Sequence, residues 1–451
     1  MAQSPIYMPV VPCPDNLLAD ERELHQFLLA FQEKYKGKKE SKIISFSQRI
    51  DPIDPLAVLG AIAQTDRLHF YWENPSQEEA IVGYGMAKSL LVDSPDRFVR
   101  SQQFIRDCFK QIISTGDLHF PGAGPHLFCS FTFFSQHHRD CPFPPATIFL
   151  PRFHLFRKKE QCVLVINLAI DERINLKFLL ENIRSQLQAI YWSSSNFIKL
   201  AGQDKTIPQP QSNGSNPFTV AVNSALKSIQ TNQFSKIVIA HALDVISSVP
   251  FKLIDSLNNL RQRHPDCYIF STSNGKGHNF IGASPERLIS IENQQLVTDA
   301  LAGSAPRGKT AAEDRIFANR LLKSEKERRE HQAVSEFITQ RLCQLGLNPQ
   351  RSPLKLLQLS NIQHLWTPIY AQVPPHVNPL DIVAQLHPTP AVAGVPTEVA
   401  CEEIRRYETF DRALYAAPLG WVDYQGNGKF IVGIRSALIE GNHARLSPGA
   451  G

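Results

Sequence analysis

None of the eight cysteines stands in a CxxC pair, and their spacing matches neither a zinc site nor a disulfide frame. Cys162, inside the run QCVLVINLAI, reads instead as a small buried hydrophobe. No apolar stretch reaches the ~20 residues of a membrane span. The segment from Met1 to Asn16 has neither the basic start nor the unbroken apolar core of a signal peptide. An excess of one charge is also missing: 47 basic residues face 42 acidic ones, the net charge is +5, and the two signs are interspersed. That balance argues against a nucleic-acid partner. There is no glycine-rich phosphate loop, no nucleophile elbow, no HExxH pair and no short repeat. These absences point to a soluble chain in a reducing compartment with no membrane partner. That compartment is the cytoplasm, or the plastid stroma for a plant-type source, although no transit peptide is visible.

What is present suits a large folded body: 451 residues, 43% hydrophobic and 20% charged. Over the N-terminal part, helical patterns at Leu17 to Tyr35, Phe98 to Ile113 and Leu176 to Ile190 are separated by strand-like runs. The strands are Lys42 to Phe46, Leu68 to Trp72, Glu79 to Met86, Leu127 to Phe134, Ala146 to Arg157 and Cys162 to Ile170. They come in runs as well as in alternation with helices, so the fold class is α/β of the α+β kind, with a mixed, largely antiparallel sheet. The segment Ala201 to Pro217, rich in Gln, Pro, Ser and Gly, reads as a linker. It divides the chain into an N-terminal scaffold lobe, 1–216, and a catalytic lobe, 217–451.

In the second part, Leu301 to Ser304 reads as a glycine-bearing turn leading into one long charged helix, started by the capping-box spacing of Thr310 and Glu313. Glu327 and Glu330, three apart, share a face of that helix. The pair is either a solvated, salt-bridged surface or two carboxylates aimed at a hard cation in a cleft. Other candidates are scattered. Lys236 opens the apolar strand Lys236 to Ala240; it is either a surface lysine or, in a partly desolvated cleft, a base. Glu286, after Pro285, is either a turn carboxylate paired with Arg287 or an acid kept protonated by its surroundings. Arg435 ends the apolar run Phe430 to Arg435, so it needs an anion, from the protein or from a ligand. Gly449, Ala450 and Gly451 offer backbone N–H groups to the same anion. His364 and His387 are single histidines with structural roles as their simplest reading.

The motifs stand in an order that resembles the chorismate-utilising enzymes: KIVIA at Lys236, GASPE ending at Glu286, LAGS from Leu301, SEKE through Glu330-His331, HPTPAV from His387, and GWV through Ile434-Arg435. The likeness is specific from Phe218 onward and architectural before it. It implies two mixed, mostly antiparallel sheet lobes packed face to face, with helices outside and a cleft in the C-terminal lobe. Within the family, a lysine at position 236 goes with water rather than ammonia as nucleophile, so no glutamine amidotransferase subunit is expected. Ala302 stands where the aminodeoxychorismate synthases place a lysine. The chain is thus most similar to the isochorismate synthases of quinone and siderophore pathways. Salicylate synthases, which also eliminate pyruvate, are the alternative, and a truncated homologue that binds chorismate without turnover is another.

The resemblance implies further roles. Lys236 would activate water for attack on C2 of chorismate, and Glu286 would protonate the departing C4 hydroxyl. Glu330, with Glu327 close by, would hold Mg2+. Arg435, Tyr415 and the backbone of Gly449, Ala450 and Gly451 would bind the enolpyruvyl carboxylate, while Gly303, Ser304 and His364 would line the ring site. A monomer or weak homodimer is expected. The sequence departs from the family pattern at His241, usually arginine, at Ser304, usually threonine, and at Ala393, usually cysteine or serine. Family members also continue past the Gly-Ala-Gly turn into a helix whose glutamates complete the Mg2+ site. For the 451-residue sequence, this implies either a longer native chain or weak Mg2+ binding and low activity.

Overall fold

Two large sheets organise the molecule, and their strands come from both parts of the sequence. The computed structural model describes residues 9–10, 21–37, 42–136, 141–171, 173–195 and 217–451. The first sheet has eleven strands. One half is Leu243–Ile246, His443–Leu446, Ser436–Glu440, His278–Ser284 and Tyr268–Ser273. The other half is His69–Asn74, Glu79–Tyr84, Phe153–Lys158, Gln161–Ile170, Lys42–Ile50 and Ile112–Gly116. The second sheet runs Gln350–Arg351, Ile362–Gln372, Gln295–Pro306, Arg287–Glu292, Gly428–Val432, Pro418–Asp423, His126–Phe131, Ala146–Leu150 and Lys88–Val92. Lys355–Gln358 adds to it beside Ile362–Gln372. Pairing is antiparallel throughout both sheets except where Lys42–Ile50 meets Ile112–Gly116.

The sheets pack through an aromatic layer. Phe70, Trp72, Phe156 and Phe270 of the first meet Phe128, Phe149, Trp421 and Ile431 of the second, with Phe70 and Phe128 stacked at 4.7 Å. Helices cover the outer faces. Leu24, Leu28, Leu59, Leu180 and Leu257 lie on the first sheet. Val334, Ile338, Leu380, Val383 and Ile404 lie on the second. At ~25 cal/mol per Å2 of apolar surface removed from water, these three layers supply the main driving force of folding. Among the described residues, no helix is long and apolar enough to cross a membrane.

This architecture corrects several sequence expectations. The division at residue 216 has no counterpart in the sheets: Tyr268–Ser273 pairs directly with His69–Asn74, and Pro418–Asp423 with His126–Phe131. The proposed linker lies outside the described residues, apart from Pro217, which opens the helix Pro217–Gln230. Ala146 to Arg157 is two strands, one in each sheet, separated at Pro151. There the missing N–H and fixed φ of proline end the ladder. Lys429 to Ile439 is likewise split. Gly433 to Arg435 carries the chain from one sheet to the other, and Arg435 lies in the left-handed region, φ 51°.

Leu301 to Ser304 is no turn. It lies inside the strand Gln295–Pro306, where the register shifts between Ala302 and Ser304 and Gly303 has φ +77°. This is a bulge, and glycine meets its backbone demand without strain. The long charged helix is two. Ala311–Lys323 begins at Thr310, whose side chain accepts from Glu313 N–H as expected. Glu325–Gln344 begins afresh at Ser324, whose hydroxyl accepts from the N–H of Glu327. Ser324 and Glu327 have the same cap spacing as Thr310 and Glu313.

Candidate active site

Two short ladders, each a two-stranded sheet of its own, carry several of the candidate residues. Lys236–Ile237 pairs with Gly394–Val395, and Ile239–Ala240 with Gly449–Ala450. The first pairing needs a glycine, because a Cβ at Gly394 would stand 2.2 Å from the Lys236 carbonyl oxygen. Buried Arg412 clamps the segment, donating to Val238 O at 2.8 Å and Val392 O at 2.9 Å while ion-paired with Glu408. Glu408 in turn accepts from Ala240 N–H at 2.7 Å. Neither residue has a sequence signal beyond its i, i+4 spacing.

Lys236 Nζ reaches Glu330 Oε1 at 2.6 Å, with 13% and 24% of the two side chains exposed. Gly451 lies beside this pair: a Cβ there would stand 3.4 Å from Lys236 Cε and 3.9 Å from Glu330 Oε1. One turn earlier on the helix, Glu327 Oε2 accepts from Ser304 N–H at 3.3 Å. A Cβ at Gly303 would stand 3.1 Å from that same oxygen, so the bulge lets helix and strand approach. Glu327 and Glu330 are therefore half-buried toward the strand rather than fully solvated.

The ring of His364 links strand and arginine. Its Nδ1 lies 2.8 Å from Ser304 Oγ, and its Nε2 lies 3.5 Å from Arg435 Nη2. A guanidinium only donates, so Nε2 accepts and Nδ1 carries the proton. Burial, and then the Arg435 charge, push the His364 pKa down to about 4, so the ring is neutral at physiological pH. Arg435 also meets Cys267 Sγ at 3.8 Å and has no acidic partner among the described residues. A half-buried guanidinium without a counter-anion suits an anionic ligand. Tyr415 is buried, and a Cβ at Gly449 would stand 2.5 Å from its hydroxyl. His387 is structural, bonded to Phe133 O at 3.0 Å and pushed down to about 3 by burial.

Glu286 sits in the two-residue passage between the strands His278–Ser284 and Arg287–Glu292, where the chain changes sheets. Its N–H donates to Ser284 Oγ at 3.2 Å, and its carbonyl accepts from Val432 N–H at 3.0 Å. The carboxyl is buried, and burial pushes its pKa up to about 7; Lys236 pulls against that and Asp299 adds to it. Its sequence neighbour Arg287 is not its partner, because that guanidinium is bound to Asp299 at 2.9 Å.

These residues thus present an amine beside a carboxylate, a buried carboxyl whose pKa burial raises to about 7, and an arginine without an acidic partner among the described residues. Among the described residues, no group of three or more His, Cys, Asp or Glu side chains could hold a metal ion. The donors present are Glu327 and Glu330, and the bonds described occupy one oxygen of each. Two carboxylates with water and substrate oxygens are an ordinary set for Mg2+, so the residues fit that ion.

A family model described as "Chorismate binding enzyme" matches residues 28–451. Isochorismate synthase MenF of Bacillus subtilis is 30% identical over 96% of this chain and 93% of its own. The salicylate biosynthesis isochorismate synthase of Pseudomonas aeruginosa is 32% identical over 91% of this chain and 85% of its own. Among solved structures, the menaquinone-specific isochorismate synthase MenF of Escherichia coli superposes with a TM-score of 0.72 at 26% identity, covering 96% of this chain and 94% of that one. By the span of the family model and the identity of these relatives, the chain belongs to the chorismate-binding enzymes.

Proposed function

We propose that this protein is an isochorismate synthase, a hydroxymutase that converts chorismate to isochorismate. The observation that carries the reading is the pairing of opposites in one cleft: Lys236 as base and Glu286 as an acid whose pKa burial has pushed up to about 7. Lys236 takes a proton from water as its oxygen bonds to C2 of the ring. The double bonds shift, the C4–O bond breaks, and Glu286 gives its proton to the departing hydroxyl, which leaves as water. One water enters and one leaves, with no net redox change. Afterwards Lys236 holds an extra proton and Glu286 lacks one, so both exchange with solvent before the next turnover. An acid whose pKa lies near neutrality is an effective proton donor to a departing hydroxyl.

Arg435 and Tyr415, with the backbone of Gly449 to Gly451, bind the enolpyruvyl carboxylate in this reading. Gly303, Ser304 and neutral His364 flank the ring. Mg2+, held by Glu330 and Glu327, would neutralise the ring carboxylate when bound. A water nucleophile needs no glutamine-hydrolysing subunit. Incubation of the purified protein with chorismate and Mg2+ tests the reading: isochorismate is the expected product, and chelation with EDTA abolishes its formation. Salicylate and pyruvate in place of isochorismate would overturn it.

A further inference from the structure

Arg287, Asp299 and Trp366 form a polar triad behind Glu286 that the reaction above does not use. Arg287 begins the strand after Glu286, at a position where the register against Gly428–Val432 shifts. Asp299 lies on the neighbouring strand and Trp366 on the next. Asp299 Oδ1 accepts from Arg287 Nη2 at 2.9 Å and from Trp366 Nε1 at 2.8 Å. Asp299 is 11% exposed and Arg287 19%, so solvent screens this pair weakly. An arginine that reaches a neighbouring carboxyl holds the acid ionised.

We propose that Asp299 is a positioning residue for the acid: it binds the guanidinium of Arg287 and so denies Glu286 the cation beside it in sequence. This inference rests on the reading of Glu286 as the proton donor. Asp299 acts in two ways with the same sign. It holds the Arg287 charge on its own carboxylate, and its own charge opposes ionisation of Glu286. The other titratable groups facing Glu286 are Lys236, which favours ionisation, and the Tyr415 phenol. With the donor protonated at low pH, kcat/KM falls as pH rises through the Glu286 pKa.

The experiment is the pH profile of kcat/KM for chorismate in Asp299→Asn, Asp299→Glu and Arg287→Gln. In D299N the upper limb moves to lower pH by about one unit, because Arg287 is released and a negative charge is lost. In R287Q it moves to higher pH, and in D299E it stays near the wild-type position. Lower turnover in D299N and R287Q with the limb unmoved would reduce Asp299 to a structural residue and overturn the proposal. Should D299N fail to fold, the direction of the R287Q shift decides the question alone. A second readout needs no turnover: infrared titration of the carboxyl band that Glu286→Gln removes. If E286Q keeps wild-type activity and its limb, the proton-donor reading fails. If E286Q is inactive while the band titrates identically in D299N and wild type, only the Asp299 proposal fails.

Discussion

The two walls of the cleft each carry a glutamate within reach of a cation, and they treat it in opposite ways. Glu330 is paired with Lys236, 94 residues away in sequence, at 2.6 Å. Glu286 is adjacent to Arg287 and is not paired with it, because Arg287 is bound to Asp299. One carboxylate keeps 24% of its side chain in solvent and accepts from an amine, whereas the other is buried and titrates at about 7. The difference teaches that strand geometry rather than sequence distance assigns the partners. It also shows how two glutamates with the same side-chain chemistry come to differ: burial raises the pKa of one, and a lysine partner answers the charge of the other.

The sharpest way to break this contrast is to remove the amine from its wall. Lys236→Gln, one atom shorter, keeps a hydrogen-bond donor on the side of Glu330 but cannot take a proton from water. Isochorismate formation should fall about 10^2–10^4-fold, the range for loss of a positioned base, with the circular dichroism spectrum unchanged. Turnover within a few-fold of wild type would mean that the amine only neutralises Glu330.

The next test separates the walls by stability. In the folded protein Glu286 titrates at about 7, against 4.5 for an unperturbed glutamate. Between those values the folded state holds a proton that the unfolded state has released. The stabilising contribution is complete below about 4.5 and is lost as pH rises through about 7, amounting to about 3 kcal/mol. Glu286→Gln cannot ionise. Relative to wild type, it should gain about 3 kcal/mol in urea unfolding between pH 5 and pH 8. An equal difference at both pH values would show that Glu286 finds a counter-ion after all.

The walls were unequally legible in the sequence. Lys236, Glu286, Glu330 and Arg435 sit in recognisable motifs, and the structure brings Lys236 to Glu330 and leaves Arg435 without an acidic partner among the described residues. Asp299 had no signal, because its tie to Arg287 runs between neighbouring strands, whose pairing apolar alternation does not encode. The crossings at Pro151 and at Gly433 to Arg435 were hidden for a related reason. A strand in one sheet and a strand in the other show the same alternation, so a run that changes sheets looks continuous. The break at Ser324 carried a cap signal, but the charged run around it reads as uninterrupted helix. The compositional gap at 201–217 does not separate the sheets, because strands on either side of it in sequence pair with one another.

The smallest effect expected is at Ser304, on the Glu327 wall, and it asks whether that wall is held by backbone or by side chain. Ser304 contributes twice: its N–H donates to Glu327 Oε2 at 3.3 Å, and its Oγ accepts from His364 Nδ1 at 2.8 Å. Ser304→Ala removes only the second contact. Ser304 is exposed, so water can replace the lost acceptor, and Arg435 still faces the Nε2 of the ring. The cost is that of one solvent-accessible hydrogen bond, about 0.5–1 kcal/mol, equivalent to a roughly 2–5-fold rise in KM for chorismate with kcat unchanged. Ser304→Thr, which keeps the hydroxyl, should restore the wild-type value. A loss of kcat approaching that of K236Q would mean that the imidazole takes part in proton transfer. The assignment of proton transfer to Lys236 and Glu286 alone would then fail, because His364 would be a third proton-moving group.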